Sequence, residues 1–443
     1  MKKNDGFLKK ILLFGAGKSA TCLIDYLASE AAKQYWQIKV ADGNFALASE
    51  KIAGYDHALA VQVDVSDEMD RNELIEEADI VISMLPPHLH ILVAQNCVAV
   101  GRSLLTASYI DDDIRKLEPE INKKGLLFLC EMGLDPGIDH MSAMQLIHRI
   151  RGQSGKITSF YSHCGGLVAP ESDDNPWHYK ISWNSRNIAL AGKAGAAYIL
   201  NKEVVHLPYS AALFDAGRKV QVPGYGEYAW YPNRDSIAYS RLYELEEANT
   251  FIRSTLRHPD FCKGWKKIVE LELTKEAKQF NTDELTYREV LEWHLQQKGN
   301  ETSITEKERQ LLDYLGLYDD VKINHGLCSA ADIIQLAIQQ KLRLLPGDKD
   351  LIVMMHEIGF ELTSGAQKIR SFLVAKGEDN KRTAMAKTVG LPLGIATKLI
   401  LEDKIDVRGL HIPILPEIYE PVLAELKKEG IAFIDEIQKT NAG

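Results

Sequence analysis

Lys10-Ile-Leu-Leu-Phe14-Gly15-Ala-Gly17-Lys18-Ser19-Ala20, running on into Thr-Cys22-Leu23-Ile24-Asp-Tyr-Leu27, decides the fold. Lys10 to Phe14 is a short apolar run, and Leu23, Ile24 and Leu27 recur at helical spacing beyond the glycines, so the order is strand, glycine turn, helix. In such a turn Gly15 permits the tight bend and Gly17 lets the backbone approach a pyrophosphate. Ala20 is small enough to pack helix against strand, and a diphosphate then rests on the helix N-terminus beside Lys18 and Ser19. A lone G-x-G-x-x-A arises often by chance, so its surroundings must agree with it.

They do. Trp36 to Ala41 reads as a second strand, and Asp42 follows it, 22 residues beyond Ala20. An acid there accepts hydrogen bonds from the adenosine ribose and repels a 2′-phosphate, and no Arg lies between Trp36 and Glu50, so the expected cofactor is NAD rather than NADP. The bland alternative is that Asp42 merely opens the turn at Gly43-Asn44. Val61-Gln-Val-Asp64-Val65 reads as a third strand, with Asp64 and Val65 where such folds contact adenine. Ala78 to Pro86 reads as a fourth and delivers Ser83, Leu85 and Pro86 to the nicotinamide side. Ser103 to Ala107 ends in Ser108-Tyr109, and Gly125 to Cys130 runs into Glu131-Met-Gly-Leu-Asp135-Pro-Gly-Ile-Asp139-His140. Each strand end thus brings polar residues to one rim, where open α/β sheets bind ligands.

The chain has 443 residues, which at roughly 100 to 200 per domain suggests two to four domains. With 52 Lys and Arg against 62 Asp and Glu the net charge is -10, which gives no global reason to bind nucleic acid or anionic lipid. Six scattered cysteines form no C-x-x-C pair and no zinc-ligand spacing, so no metal is expected and a reduced, cytoplasmic setting fits. The basic, apolar start imitates a signal peptide but is broken at Gly15, and the longest apolar stretch, Ile80 to Val100, is interrupted by Pro86-Pro87-His88 and Gln95-Asn96. A membrane protein is not expected.

Past Asp139 the texture changes. Met141 to Arg151 reads as an amphipathic helix, and Lys156 to Cys164 as a strand that ends in a turn at Gly165-Gly166. Asn175-Pro-Trp-His178 and Tyr231-Pro-Asn-Arg234 read as site-lining loops, and Phe261 to Lys341 as a helical subdomain. Leu351 to Ile358 and Gln367 to Ala375 look like a hairpin. A long helix from Thr383 to Glu402 is expected to break at Gly390-Leu-Pro392, and the tail from Val407 to rejoin the first domain.

Glu131 to His140, Cys164-Gly-Gly-Leu-Val-Ala-Pro-Glu171, Tyr231-Pro-Asn-Arg-Asp-Ser236, Ser182-Trp183, Ser254-Thr255-Leu-Arg257 and Ala384 to Pro392 together resemble the glutamate-forming saccharopine dehydrogenases, over essentially the whole chain. The resemblance implies an α/β protein with a Rossmann-type domain from residues 1–138 and 392–443. An inserted α/β substrate and dimerisation domain from 139–258 and 345–391 and a helical subdomain from 259–344 complete it, in a homodimer. It implies oxidation of the secondary amine of saccharopine to an imine, then hydrolysis to glutamate and 2-aminoadipate 6-semialdehyde. It puts Tyr109 and Asp135 on the nicotinamide side with Ser108, Cys164 near the amine, and Trp183, Arg234, Thr255 and Arg257 around the substrate. NADP-using members carry a basic residue just past the second strand, so Asp42 makes this chain look like the NAD-using ones.

The residues alone say less. Three carboxylates call for forked cations, yet Arg234 could equally pair with Asp235 and Arg257 could be a helix-end charge. Asp135 could be a turn residue or N-cap, Tyr109 a packing residue, Cys164 a structural thiol, and Asp139-His140 a cap and core pair. His88 and His90 read as loop residues. Rival functions are a relative such as carboxynorspermidine dehydrogenase, whose substrate has fewer carboxylates, and a dinucleotide-binding scaffold without turnover.

Overall fold

A computed structural model describes residues 8–299 and 303–439. The strand-turn-helix reading holds: Lys10–Phe14 (β1) leads through the glycine turn into a helix at Thr21–Gln34, whose Leu23, Ile24 and Leu27 are fully buried, and Ala20 is 1% exposed. The first unit is built around β1, Gln37–Asp42 (β2), Ala58–Gln62 (β3), Ile80–Ser83 (β4), Ser103–Thr106 (β5) and Leu127–Leu129 (β6). A seventh strand, Gly409–His411, arrives from the far end of the chain beside β6. All pairings are parallel, in the order seventh-β6-β5-β4-β1-β2-β3. This is the doubly wound dinucleotide-binding order, with both faces covered and near-continuous apolar runs in the central strands. β3 ends earlier than its apolar pattern suggests. The Asp64 carboxylate accepts the Ser66 N–H at 2.9 Å and the Ser66 hydroxyl at 2.7 Å, a local turn that competes with the ladder.

The chain divides into two compact units, one reaching to Gly152 and resuming over Lys381–Phe433, the other formed by Gln153–Asn380 and the segment from Ile434. The expected break at Pro392 does not occur: the helix Ala384–Leu401 runs through it. That helix is long and apolar enough to cross a membrane, but 72% of it is buried within the protein. A Cβ on Gly390 would lie 2.9 Å from Leu23 N, and one on Gly394 2.7 Å from the Tyr26 ring. Its glycines let it lie directly on helix Thr21–Gln34, which makes it a core helix of the first unit.

The second unit is a mixed ten-stranded sheet. Its spine is Lys156–Val168, flanked by Thr250–Arg257 in parallel and Asp350–Leu362 antiparallel, and the latter turns back as Gly365–Lys376, the expected hairpin. Two expectations fail here. Gly165-Gly166 is not a turn, because the strand continues through it: a Cβ on Gly165 would meet Leu256 Cβ at 2.7 Å, so the glycine serves a close strand approach. The tail rejoins the first unit only to Phe433, and Ile434–Lys439 adds an edge strand to the second sheet instead. The helices Pro259–Glu270, Tyr287–Lys298, Glu306–Tyr314 and Ala330–Lys341 form the expected helical region, with a two-stranded ribbon, Lys278–Asn281 and Leu327–Ser329, that periodicity did not reveal.

Candidate active site

In the first unit the predicted residues gather at the carboxyl ends of the parallel strands. Gly15 has φ +100, and a Cβ there would lie 2.9 Å from Met84 O, so only glycine lets the turn after β1 pass the end of β4. A Cβ on Gly17 would meet nothing within 4 Å, and Gly17 and Lys18 are exposed, with Ser19 half-buried. Neither the turn Lys18–Ala20 nor helix Thr21–Gln34 has a side-chain cap, which leaves N–H groups for a ligand's oxygens. Open space over an uncapped N-terminus fits a dinucleotide's diphosphate. Lys51, which sequence reasoning missed, fixes this loop by donating to Gly17 O at 2.5 Å and Thr21 Oγ1 at 2.8 Å, and burial pushes its pKa down to about 8.

Asp42 is not a bare acid. Its Oδ2 accepts the Ala16 N–H at 2.7 Å and its Oδ1 the Asn44 N–H at 2.8 Å, so one carboxylate ties the glycine loop to the end of β2 and is held in place there. Asp64 and Pro86 are exposed, while Val65 and Leu85 are half-buried beside the core of this unit.

Ser83 is completely buried and Ser108 half-buried, and His90 spans them: Nδ1 is 2.7 Å from Ser83 Oγ and Nε2 2.7 Å from Ser108 Oγ. His90 is therefore a bridge at the first turn of helix His90–Val100 and not a loop residue, and burial pushes its pKa down to about 4, leaving it neutral. A sequence signal existed in hindsight, a polar ring opening an apolar helix seven residues after a strand-end serine.

Tyr109 and Asp135 lie on neighbouring segments that Glu131 stitches together. Its N–H donates to Ser108 O at 3.0 Å, and its Oε1 accepts the Ile110 N–H at 3.3 Å. The same Glu131 meets His140 Nε2 at 2.9 Å, and Asp139, in the first turn of helix Ile138–Gly152, accepts the Gly137 N–H at 2.7 Å, so these two buried residues hold the loop from within the helix. Gly137, at φ +143, passes so close to Gly133 that a Cβ would overlap its backbone, which closes the loop carrying Asp135.

In the second unit the sheet register brings three predicted residues together. Thr255 lies opposite Cys164 on one side and Tyr231 on the other, and Arg257 is two residues further along the same strand. Cys164 is 7% exposed. Arg257 is 4% exposed, and its guanidinium lies 5.2 Å from the Tyr179 ring and 5.4 Å from Phe261. It donates to Leu256 O at 2.8 Å and Gly166 O at 3.4 Å, while its Nε makes no hydrogen bond. Among the described residues no carboxylate pairs with it. Trp183 joins this group by donating from Nε1 to the Tyr179 hydroxyl at 3.3 Å. Tyr179 is a second residue that sequence reasoning passed over, hidden in the Trp-His-Tyr run.

Arg234 stands apart from that group. It is exposed, on a two-residue strand beside Ala196, with a left-handed φ of 51. Its neighbour Asp235 accepts the Ile237 N–H at 2.8 Å through Oδ1, at the start of the helix Ile237–Leu242.

A parallel sheet with an open glycine loop, joined in one chain to a second α/β unit that buries an arginine without an acid, defines a dinucleotide-dependent oxidoreductase. Residues 11–129 match the saccharopine dehydrogenase NADP binding domain and residues 133–431 the saccharopine dehydrogenase C-terminal domain. The chain belongs to the saccharopine dehydrogenase family. It is 35% identical to saccharopine dehydrogenase (NADP(+), L-glutamate-forming) of Saccharomyces cerevisiae, over 96% of this chain and 98% of that one. It is 33% identical to the mitochondrial alpha-aminoadipic semialdehyde synthase of Bos taurus, of which it spans 48%. The solved apo saccharopine dehydrogenase (L-Glu forming) from Saccharomyces cerevisiae superposes with a TM-score of 0.85 at 32% identity, covering 97% of this chain and all of that one. A homospermidine synthase from Legionella pneumophila, at 10% identity and a TM-score of 0.56, shares the fold alone.

Proposed function

We propose that this chain oxidises the secondary amine of saccharopine with NAD as acceptor, and that water then splits the imine to glutamate and 2-aminoadipate 6-semialdehyde. The observation that carries the reading is Arg257, a buried cation with no acid beside it among the described residues. Burying a guanidinium costs several kcal/mol, roughly, unless an anion completes it, and a substrate with three carboxylates supplies that anion. Thr255 and Trp183 flank the carboxylate so held, and exposed Arg234 is assigned to another. Cys164, opposite Thr255, is assigned to packing against the substrate near its amine. Tyr109 and Asp135 are assigned to the nicotinamide side, where the amine must lose its proton before hydride departs and water must be directed onto the imine. The nicotinamide, when bound, accepts the hydride, and one proton is released to solvent in each turnover.

Asp42 supports NAD over NADP. Its two backbone hydrogen bonds hold a negative charge at the strand end, where an NADP 2′-phosphate would have to lie. Three relatives carry NADP(+) in their names, so the proposed preference rests on this chain's own residues. The assay is direct: purified protein, saccharopine and either cofactor at alkaline pH, following absorbance of the reduced dinucleotide. Turnover with NAD supports the proposal. Absence of turnover with either cofactor sinks it, and a strong NADP preference sinks the role of Asp42. Sedimentation analysis tests the homodimer that belongs to the same proposal.

A further inference from the structure

We infer that His90 is a positioning residue, and that its neutral Nε2–H tautomer turns the Ser108 hydroxyl into a hydrogen-bond donor toward a substrate carboxylate. The inference rests on the saccharopine reading for the identity of that carboxylate, but its proton logic comes from the fold. Ser83 Oγ is completely buried, and a buried hydroxyl must place its proton on an acceptor. Among the described residues the one partner within reach is His90 Nδ1, 2.7 Å away. Ser83 therefore donates, and Nδ1 must be the bare nitrogen of the ring. A neutral imidazole carries its single proton on the other nitrogen, so Nε2–H donates to Ser108 Oγ across the second 2.7 Å contact. With its oxygen accepting from the ring, Ser108 has its own proton to offer outward. It sits half-buried at the strand rim, next to Tyr109. Burial, with His88 acting in the same direction, outweighs Asp111, which alone favours the charged ring. The opposite tautomer would strand the Ser83 proton without an acceptor and present a lone pair where a carboxylate must bind.

The test uses the two amide isosteres of histidine. His90→Asn reproduces the Nδ1 position and keeps Ser83, whereas His90→Gln reproduces the Nε2 position and keeps Ser108. His90→Asn and Ser108→Ala should each lower kcat/KM for saccharopine by roughly 10- to 100-fold, about the worth of one hydrogen bond to a charged group, chiefly through KM, with KM for NAD unchanged. The double variant should be no worse than either single one, and His90→Gln should stay within about 3-fold of the parent. Multiplicative losses, or a His90→Gln enzyme as impaired as His90→Asn, overturn the inference. Because inactivity on saccharopine would sink only the proposed function, a second readout is independent of turnover. Long-range proton–nitrogen NMR of the histidine rings should assign the Nε2–H form to His90 at pH 6, and an Nδ1–H form or an imidazolium there overturns the inference outright.

Discussion

Arg257→Met separates a substrate clamp from a structural cation. Methionine keeps an unbranched apolar stem against Tyr179 and Phe261 and removes the charge. In the folded protein the guanidinium gains a short bond to Leu256 O, a long one to Gly166 O and the faces of two rings. A hydrogen bond from a charged group is worth about 1.5–3 kcal/mol and a desolvated cation–π contact about 2 kcal/mol. Against them stands the burial of an unneutralised charge, itself several kcal/mol, roughly. The terms oppose, so the unliganded variant should lie within about 1.5 kcal/mol of the parent in urea unfolding. Binding behaves differently. Truncating one partner of a buried charge pair costs about 2–5 kcal/mol, so kcat/KM for saccharopine should fall roughly 30- to 5,000-fold. Saccharopine at 100 times its Kd should stabilise the parent by about 2.7 kcal/mol, and the variant should show no such gain at the same concentration. The reasoning is refuted if Arg257→Met loses about 3 kcal/mol or more without ligand while the folded fraction turns over saccharopine normally, because Arg257 would then be holding the sheet.

Three further outcomes follow from the same geometry. The parent should favour NAD over NADP at least about 10-fold in kcat/KM, and Asp42→Asn should narrow that ratio by removing the charge that opposes a 2′-phosphate; an unchanged ratio would show that Asp42 serves only the loop. Gly165→Ala should destabilise by about 1–3 kcal/mol in urea titration, because its Cβ would meet Leu256 Cβ at 2.7 Å and Leu256 O at 2.9 Å between two sheet strands; full stability would mean that the strands part easily. Cys164→Ser should keep most of the activity, since imine hydrolysis needs no covalent thioester, and near-complete loss in steady-state assays would give the thiol a chemical part.

Legibility in the sequence follows interaction range. The first sheet could be read because each strand is a local apolar run and each turn has its own chemistry, as at Gly15-Ala-Gly17 and at Asp42. The second sheet could be read only in pieces. Gly165-Gly166 looks like a turn in the one-dimensional pattern, and its purpose emerges only from Leu256, which lies 91 residues later. Gly390 and Pro392 look like a helix break for the same reason, until Leu23 is seen to occupy the space a side chain would need.

For the site, the sequence by itself determined which chemistry was on offer: a glycine turn for a diphosphate, an acid after the second strand, arginines and a threonine in a motif-bearing chain. Those are matters of residue type and short spacing, which local sterics and backbone hydrogen bonding enforce. Only the tertiary structure decided which groups carry it. It buried Arg257 without an acid, left Arg234 exposed, gave Asp42 two backbone partners, and set His90 between two serines. Burial and proton placement depend on neighbours drawn from distant segments, and no periodicity in the chain encodes them.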